Sequence, residues 1–160
     1  MESYRILSVL HILVVIGALG STFAYPFLQA FAERTSVGGT RFALRFMQRL
    51  DRMVVYPGLV LSPLLGIGLI FDDATGYKDD MPAWLMVAIA WFIVAAILDV
   101  TMVRRSIING LKTLDGVPDD GSFPPAYLDA SKKIQMFSGI VGLSIAGIAV
   151  LMVYGTKGGF

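Results

Sequence analysis

Four long apolar runs constrain the fold of this sequence more than any other feature. They cover residues 6–31, 53–71, 83–103 and 134–154. Each run can cross about 30 Å of hydrocarbon, which takes about 20 helical residues. Hydrophobic residues make up 56% of the 160 residues, charged residues only 16%, and the mean hydropathy is +0.71, so an ordinary soluble domain is excluded. The sequence predicts an all-α integral membrane four-helix bundle, one four-span domain over residues 1–160.

The basic residues are distributed unevenly between the connections. Ten of the thirteen lie between the first and second runs or between the third and fourth: Arg34, Arg41, Arg45, Arg49, Arg52, Arg104, Arg105, Lys112, Lys132 and Lys133. The connection between the second and third runs has four aspartates and only Lys78, and the chain ends add Arg5 and Lys157. Because lysine and arginine are enriched on the cytoplasmic side, both basic connections are predicted to be cytoplasmic and both termini to lie outside.

The segment "TRFALRFMQRLDR" has arginines at helical spacing, which predicts a basic amphipathic helix that leads into the second span, with Thr40 as its N-cap. Two functions are compatible with this row, contact with the headgroups of anionic lipids and contact with an acidic partner protein. The row could also serve only to set the topology. Its members are Arg41, Arg45, Arg49 and Arg52. A second cytoplasmic helical extension is predicted after the third span, over residues 104–116.

Small residues recur every four positions in the fourth span, at Ser138, Gly142 and Ala146. Such a stripe lets helix backbones approach closely in lipid, where the hydrophobic attraction between helices is absent. The stripe therefore predicts tight packing within the bundle, and it would equally serve a homodimer.

Two ionisable residues, His11 and Asp99, lie inside predicted spans. Helix rise places His11 about 9 Å below the outer boundary and Asp99 about 7 Å above the inner one, which argues against direct contact between them. Such residues are hypotheses for function. Asp99 shares its helix face with Ala88 and Ala95, which predicts that it points inward. For Asp99, we expect an ion pair with Arg52, a role in ion coupling or proton transfer, or simple exposure at the interface. For His11, we expect a neutral imidazole that hydrogen-bonds to a neighbouring helix, with haem ligation as the alternative.

No catalytic or metal-binding signature is present in the sequence. It has no glycine-rich phosphate loop, no serine–histidine–acid pattern, no histidine pair with metal spacing and no nucleic-acid-binding module. It also has no cysteine. We therefore predict no catalytic residue, no metal site and no nucleic-acid partner, and no cofactor unless His11 binds haem.

The stretch "SVLHILVVIGALGSTF", the arginine-rich connection that follows it and the Arg104–Arg105 close of the third span carry a resemblance. Over residues 4–113 the chain resembles a bacterial family of small predicted integral membrane proteins of unknown function, distantly similar to the membrane domain of copper-resistance D-type proteins. The resemblance implies a helical bundle in the bacterial inner membrane, with His11 as a typical residue of the first span. The chain lacks the further histidines of the copper-resistance type.

Three classes of function fit these features. The absence of catalytic groups, the small faces and the cytoplasmic extensions favour a non-catalytic accessory or structural subunit of a larger membrane complex. Asp99 and the prolines within the spans would suit a small oligomeric ion-coupled transporter or channel. His11 alone would suit a haem or redox protein. The expected partners are the bilayer, anionic lipids at the inner face, and either other membrane subunits or a second copy of the chain.

Overall fold

The computed structural model describes residues 2–156 and contains four long helices. These are α1 (Glu2–Glu33), α2 (Val37–Ile70), α3 (Ala83–Thr113) and α4 (Pro125–Gly155). Each is long and apolar enough to cross a membrane, and no strand occurs within residues 2–156. The prediction of an all-α four-helix membrane bundle is therefore confirmed.

The helices are longer than a bilayer requires. They contain 31 to 34 residues, or about 46–51 Å by helix rise, against a hydrocarbon thickness of about 30 Å. We call the end of the bundle with the α1–α2 and α3–α4 connections the basic end, and the opposite end the acidic end. The helical turns with most of the charged side chains lie at the basic end, where the sequence predicted helical extensions of the second and third spans.

Helix α1 packs against α2 and α4, and α4 packs against α1 and α3. Helices α2 and α3 meet through the segments Val37–Leu50 and Arg104–Thr113, at the basic end. The order around the bundle is therefore α2, α1, α4, α3, and the basic end closes the ring.

The main buried cluster includes side chains from all four helices, and much of it lies toward the basic end. Its large members are Tyr25, Leu44, Met47, Ile107, Leu114, Tyr127 and Ile134. By contrast, the segment Glu2–Val14 of α1 buries none of its residues. At the basic end, the hydrophobic effect favours contact between apolar side chains. Within the membrane this driving force is absent, and lipid chains would contact the exposed apolar side chains instead.

Helix α2 begins four residues earlier than predicted. Its N-cap is Ser36, whose hydroxyl accepts a hydrogen bond of 2.9 Å from the Gly39 amide. Thr40, the predicted cap, is instead buried in the first turn and donates to the Ser36 carbonyl. Gly38 and Gly39 therefore lie within the first turn of the helix. Gly38 packs directly on Asp119 of the α3–α4 connection, where a side chain at position 38 would collide.

Three short π-helical segments interrupt the helices, at Val15–Leu19, Asp51–Val55 and Asp99–Val103. In the second segment the Tyr56 amide donates to the Asp51 carbonyl, and in the third the Arg104 amide donates to the Asp99 carbonyl. Each bond spans five residues, so one extra residue is accommodated in the turn. Such π-helical segments are rare overall, but those that occur are frequently at functional sites. Two of the three begin at a buried aspartate.

The small-residue stripe of α4 is only partly used for packing. Ser138 and Gly142 are buried, and a Cβ on Gly142 would lie 3.0 Å from the Cα of Phe23 in α1. Ala146 is exposed, so its predicted role in helix packing within the chain is wrong. The stripe winds out of the interface because a spacing of four residues drifts around a helix of 3.6 residues per turn.

Candidate functional site

A buried tyrosine and a buried aspartate are hydrogen-bonded between α1 and α2. The Tyr25 hydroxyl donates to Oδ1 of Asp51 over 2.6 Å, and the two residues are 1% and 3% exposed. Tyr25 lies on the face of α1 that also buries Thr22 and Gln29, and Asp51 lies in α2 between the buried Met47 and Val55. Packing on both sides therefore fixes the position of this pair.

Asp99 contributes a second buried carboxyl from α3. It is 3% exposed and follows Ala88 and Ala95 on the inward face, as the sequence predicted. Its Oδ1 atom has no hydrogen-bond partner within residues 2–156. Asp51 and Asp99 are thus two buried carboxyls, on α2 and α3, of which one has a hydroxyl donor and the other has an unpartnered oxygen; we call them the carboxyl pair.

A small cavity lies beside Asp99, between the four helices. Side chains from each helix line it: Leu19, Thr22, Val55, Leu59, Phe92, Ala95, Ala96, Asp99, Val141 and Ile145. It has room for about one water molecule. The surface of the cavity is apolar, and Asp99 is the carboxyl residue beside it.

Arg52 does not pair with Asp99. The ion pair that the structure forms within residues 2–156 is Arg41–Asp119. Arg52 is exposed and, with Asp51, Tyr56 and Arg104, lines a second small cavity where α2 meets α3. Because successive helical residues differ by about 100°, only one of Asp51 and Arg52 can face inward, and Asp51 takes that place.

The first arginine of the basic row is engaged within the protein. Arg41 Nη1 lies 2.6 Å from Oδ1 of Asp119, and Nη2 donates to the carbonyls of Leu114 and Val117. Arg41 thus fastens the α3–α4 connection to the start of α2 and is not free to contact lipid. Arg45 and Arg49 are exposed on the surface of α2.

His11 is half-buried and contacts α2. Its Nδ1 lies 2.9 Å from the carbonyl oxygen of Ser62, which requires that Nδ1 carries the proton and donates. The Ser62 hydroxyl is buried without a partner. Along α1, His11 precedes Leu19 of the central cavity by eight residues, about 12 Å, so the structure does not bring His11 and Asp99 together. No group of three or more His, Cys, Asp or Glu side chains that could hold a metal ion occurs among the described residues.

Glu33 joins the last turn of α1 to α4 in a network that sequence reasoning missed. Its carboxylate accepts hydrogen bonds from Gln29, Tyr127, Ser131 and Gln135, at 2.9, 2.6, 2.6 and 3.3 Å. All four donors are neutral. This network satisfies the carboxylate and holds the basic ends of the two helices together.

Asp51 and Tyr25 were also missed, although the sequence contains a signal for the aspartate. Asp51 lies between Arg49 and Arg52 in the sequence, so the arginine row suggests that it is one more exposed charged residue. The buried positions of α2 nevertheless recur at Thr40, Leu44, Met47, Asp51 and Val55, a helical repeat that places Asp51 on the inner face. The contact of Asp51 with Tyr25 depends on how α1 packs against α2, and no local pattern predicts that.

One comparison with known proteins gives a result. A family model described as "Predicted integral membrane protein (DUF2269)" matches residues 5–155, a longer stretch than the resemblance predicted. No curated protein and no solved structure matches the chain. The similarity to copper-resistance D-type proteins stays a prediction. Since the model matches nearly the whole chain, this four-helix bundle belongs to the DUF2269 family of predicted integral membrane proteins.

Proposed function

We propose that the protein is a small ion-coupled membrane transport protein whose carboxyl pair, Asp51 and Asp99, binds and releases a proton. The observation that carries the proposal is the buried Oδ1 of Asp99, which has no hydrogen-bond donor in the described part of the chain. A carboxylate left unpartnered in a low-dielectric interior is costly, and a bound proton removes that cost. A proton relayed between neighbouring carboxyls is also a common use of acidic residues within membranes.

The surroundings favour a proton over a metal cation. A hard cation needs about six oxygen ligands, whereas the cavity beside Asp99 is lined mostly by hydrocarbon and has room for about one water. The Tyr25 hydroxyl donates to Oδ1 of Asp51, so Asp99 is the carboxyl with an unpartnered oxygen that can take up a proton.

The path of a proton would run along the bundle. The cavity at Asp51, Arg52, Tyr56 and Arg104 would connect the pair to the basic end. The central cavity continues from Asp99 toward the acidic end. Both carboxyls lie at the start of π-helical segments, where a turn can return to α-helical hydrogen bonding and move its side chains.

Infrared difference spectroscopy of the purified protein in lipid tests the proposal directly, because a protonated carboxyl has its own C=O band. We expect a band that changes with pH in the native protein and is lost in Asp99→Asn. Asp51→Asn should shift it, since the neighbouring charge is removed. Asp129→Asn, at an exposed position on α4, is the matched control and should leave the band unchanged.

The absence of a pH-dependent carboxyl band would contradict the proposal, as would a band that persists in Asp99→Asn. In vesicles with a pH gradient, native protein should dissipate the gradient faster than Asp99→Asn once a substrate is present on one side. The infrared arm needs no substrate and therefore tests the site by itself.

An accessory role in a larger complex has separate support from the surface. Large aromatic side chains at the basic end are exposed: Phe27, Phe31, Phe42 and Phe46. Apolar surface of this kind beyond the hydrocarbon marks interaction sites. Copurification of another membrane chain in mild detergent, lost when Phe42 and Phe46 are both replaced by Ser, would support this second candidate.

A further inference from the structure

At the basic end, the junction of α2 with α3 presents two arginines to one groove. Arg52 and Tyr56 of α2 and Arg104 of α3 line it, with Gln48 beside them. The guanidinium carbon of Arg104 lies 5.6 Å from the centre of the Tyr56 ring, so the ring helps to hold that side chain. Both arginines are exposed, so a ligand can reach the groove from outside the bundle.

Neither arginine has a carboxylate partner within 4.0 Å in the part of the chain that the structure describes, where the ion pair is Arg41–Asp119. Asp51 lies on the wall of the groove, and its carboxyl accepts the hydrogen bond from the Tyr25 hydroxyl. Two positive charges and one engaged carboxyl leave the groove with an excess of positive charge. Fixed guanidinium groups bind phosphate well because their N–H groups match two phosphate oxygens at once.

The depth of the groove points to the source of the phosphate. Arg52 precedes the acidic end of α2 at Ile70 by 18 residues, about 27 Å, and Arg104 follows the start of α3 at Ala83 by 21 residues, about 32 Å. The hydrocarbon core is about 30 Å thick. When the acidic ends of α2 and α3 lie at one boundary of the membrane, the two arginines therefore lie at the other, where lipid phosphates are.

We propose that the groove between Arg52, Tyr56 and Arg104 binds the headgroup phosphate of an anionic phospholipid. The guanidinium groups of Arg52 and Arg104 contact the phosphate oxygens from two helices, and the Tyr56 hydroxyl and Gln48 amide supply further donors. The lipid chains lie along the apolar surface toward the acidic end. The site takes one phosphate at the mouth of the cavity, whose inner space has room for only about one or two water molecules, and in this it differs from the row of arginines along α2. It shares Asp51 with the proposed proton site, but lipid binding does not require proton exchange.

Lipid binding to the purified protein in detergent tests the proposal. Native mass spectrometry would count bound phosphatidylglycerol and phosphatidylcholine across a titration of each. We expect Arg52→Gln and Arg104→Gln each to weaken phosphatidylglycerol binding about tenfold, since a hydrogen bond to a charged group contributes roughly that factor. The double substitution Arg45→Gln/Arg49→Gln removes two exposed arginines of the same helix outside the groove, and it should bind as the native protein does.

Equal loss of binding in the Arg45/Arg49 variant would overturn the proposal, because the attraction would then be a diffuse property of the basic end. Equal binding of phosphatidylcholine and phosphatidylglycerol would overturn the preference for an anionic lipid. If millimolar inorganic phosphate displaces phosphatidylglycerol completely, the source is free phosphate and the lipid assignment is wrong. Arg52 is exposed, so Arg52→Gln keeps the test valid even where Arg104→Gln fails to fold.

Discussion

The imidazole of His11 shows how one polar side chain is accommodated among apolar neighbours. Its hydrogen bond to the Ser62 carbonyl uses Nδ1. This leaves Nε2 as the atom that could be an axial ligand of a haem iron. A histidine that ligates a metal commonly donates its other nitrogen to a backbone carbonyl, so the hydrogen bond alone does not separate packing from ligation.

His11→Gln and His11→Leu separate the two roles. If the hydrogen bond is the function of His11, His11→Leu should lower the free energy of unfolding in mild detergent by about 1 kcal/mol, and His11→Gln by less, because its amide can still donate. Thermal unfolding followed by circular dichroism measures the difference. A Soret band in protein purified with haem available, lost in both variants while the fold persists, would contradict the packing role.

Residue by residue, the sequence identifies the polar groups within the membrane better than it identifies their partners. Asp99 was predicted to face inward and does so. Its partner was predicted to be Arg52, but Asp51, one residue earlier, occupies the inner face. A shift of one residue turns the side chain by about 100° around the helix. Only the packing of α1 on α2 determines which residue meets Tyr25.

At the scale of helices, close approach is concentrated at a few glycines. Gly58 of α2 packs directly on Ala18 of α1, and a Cβ built on Gly58 would overlap that methyl group. The two helices can be this close only because position 58 has no side chain, which is how helices associate in lipid.

Gly58→Ala should therefore destabilise the protein by about 1–3 kcal/mol, since the overlap forces α1 and α2 apart. Gly139→Ala is the matched control, because a Cβ there would meet no atom within 4 Å, and its higher helix propensity should leave stability equal or slightly raised. Unfolding in mild detergent measures both. A loss of the same size in the two variants would show that the effect is not specific to the contact.

The four helices were predictable from hydropathy. The helical extension that leads into the second span was predictable from the helical spacing of the arginines. Gly142 was identified by its four-residue spacing, but Gly58 was not, because a single glycine in an apolar span has no distinctive pattern. The π-helical segments were not predictable either. They depend on the balance of backbone hydrogen bonds within a turn and on neighbours such as Tyr25, rather than on local composition.

At the scale of the whole molecule, the direction of threading follows from charge. The structure places the α1–α2 and α3–α4 connections at the same end of the bundle, and these connections together with the helical turns next to them contain ten of the thirteen basic residues. By the positive-inside rule, this distribution favours a basic end in the cytoplasm and both termini outside. We propose this orientation in a bacterial inner membrane.

The chain has no cysteine, so single cysteines report this orientation without interference. In intact cells a membrane-impermeant maleimide should label Asp73→Cys, in the exposed α2–α3 connection, and should label Asp120→Cys, in the α3–α4 connection, only after permeabilisation. Labelling of Asp120→Cys but not Asp73→Cys in intact cells would reverse the orientation.

The uneven distribution of buried residues also sets where the molecule can open. The acidic-end segment Glu2–Val14 buries none of its residues, while the basic end combines a water-driven core with the Glu33 network and the Arg41 contacts. Local opening requires less free energy where fewer buried contacts are broken. Helix α1 is thus fastened at one face of the membrane and is freest to separate from its neighbours at the other, so lipids or a neighbouring helix can enter beside it from that side without unfolding the protein.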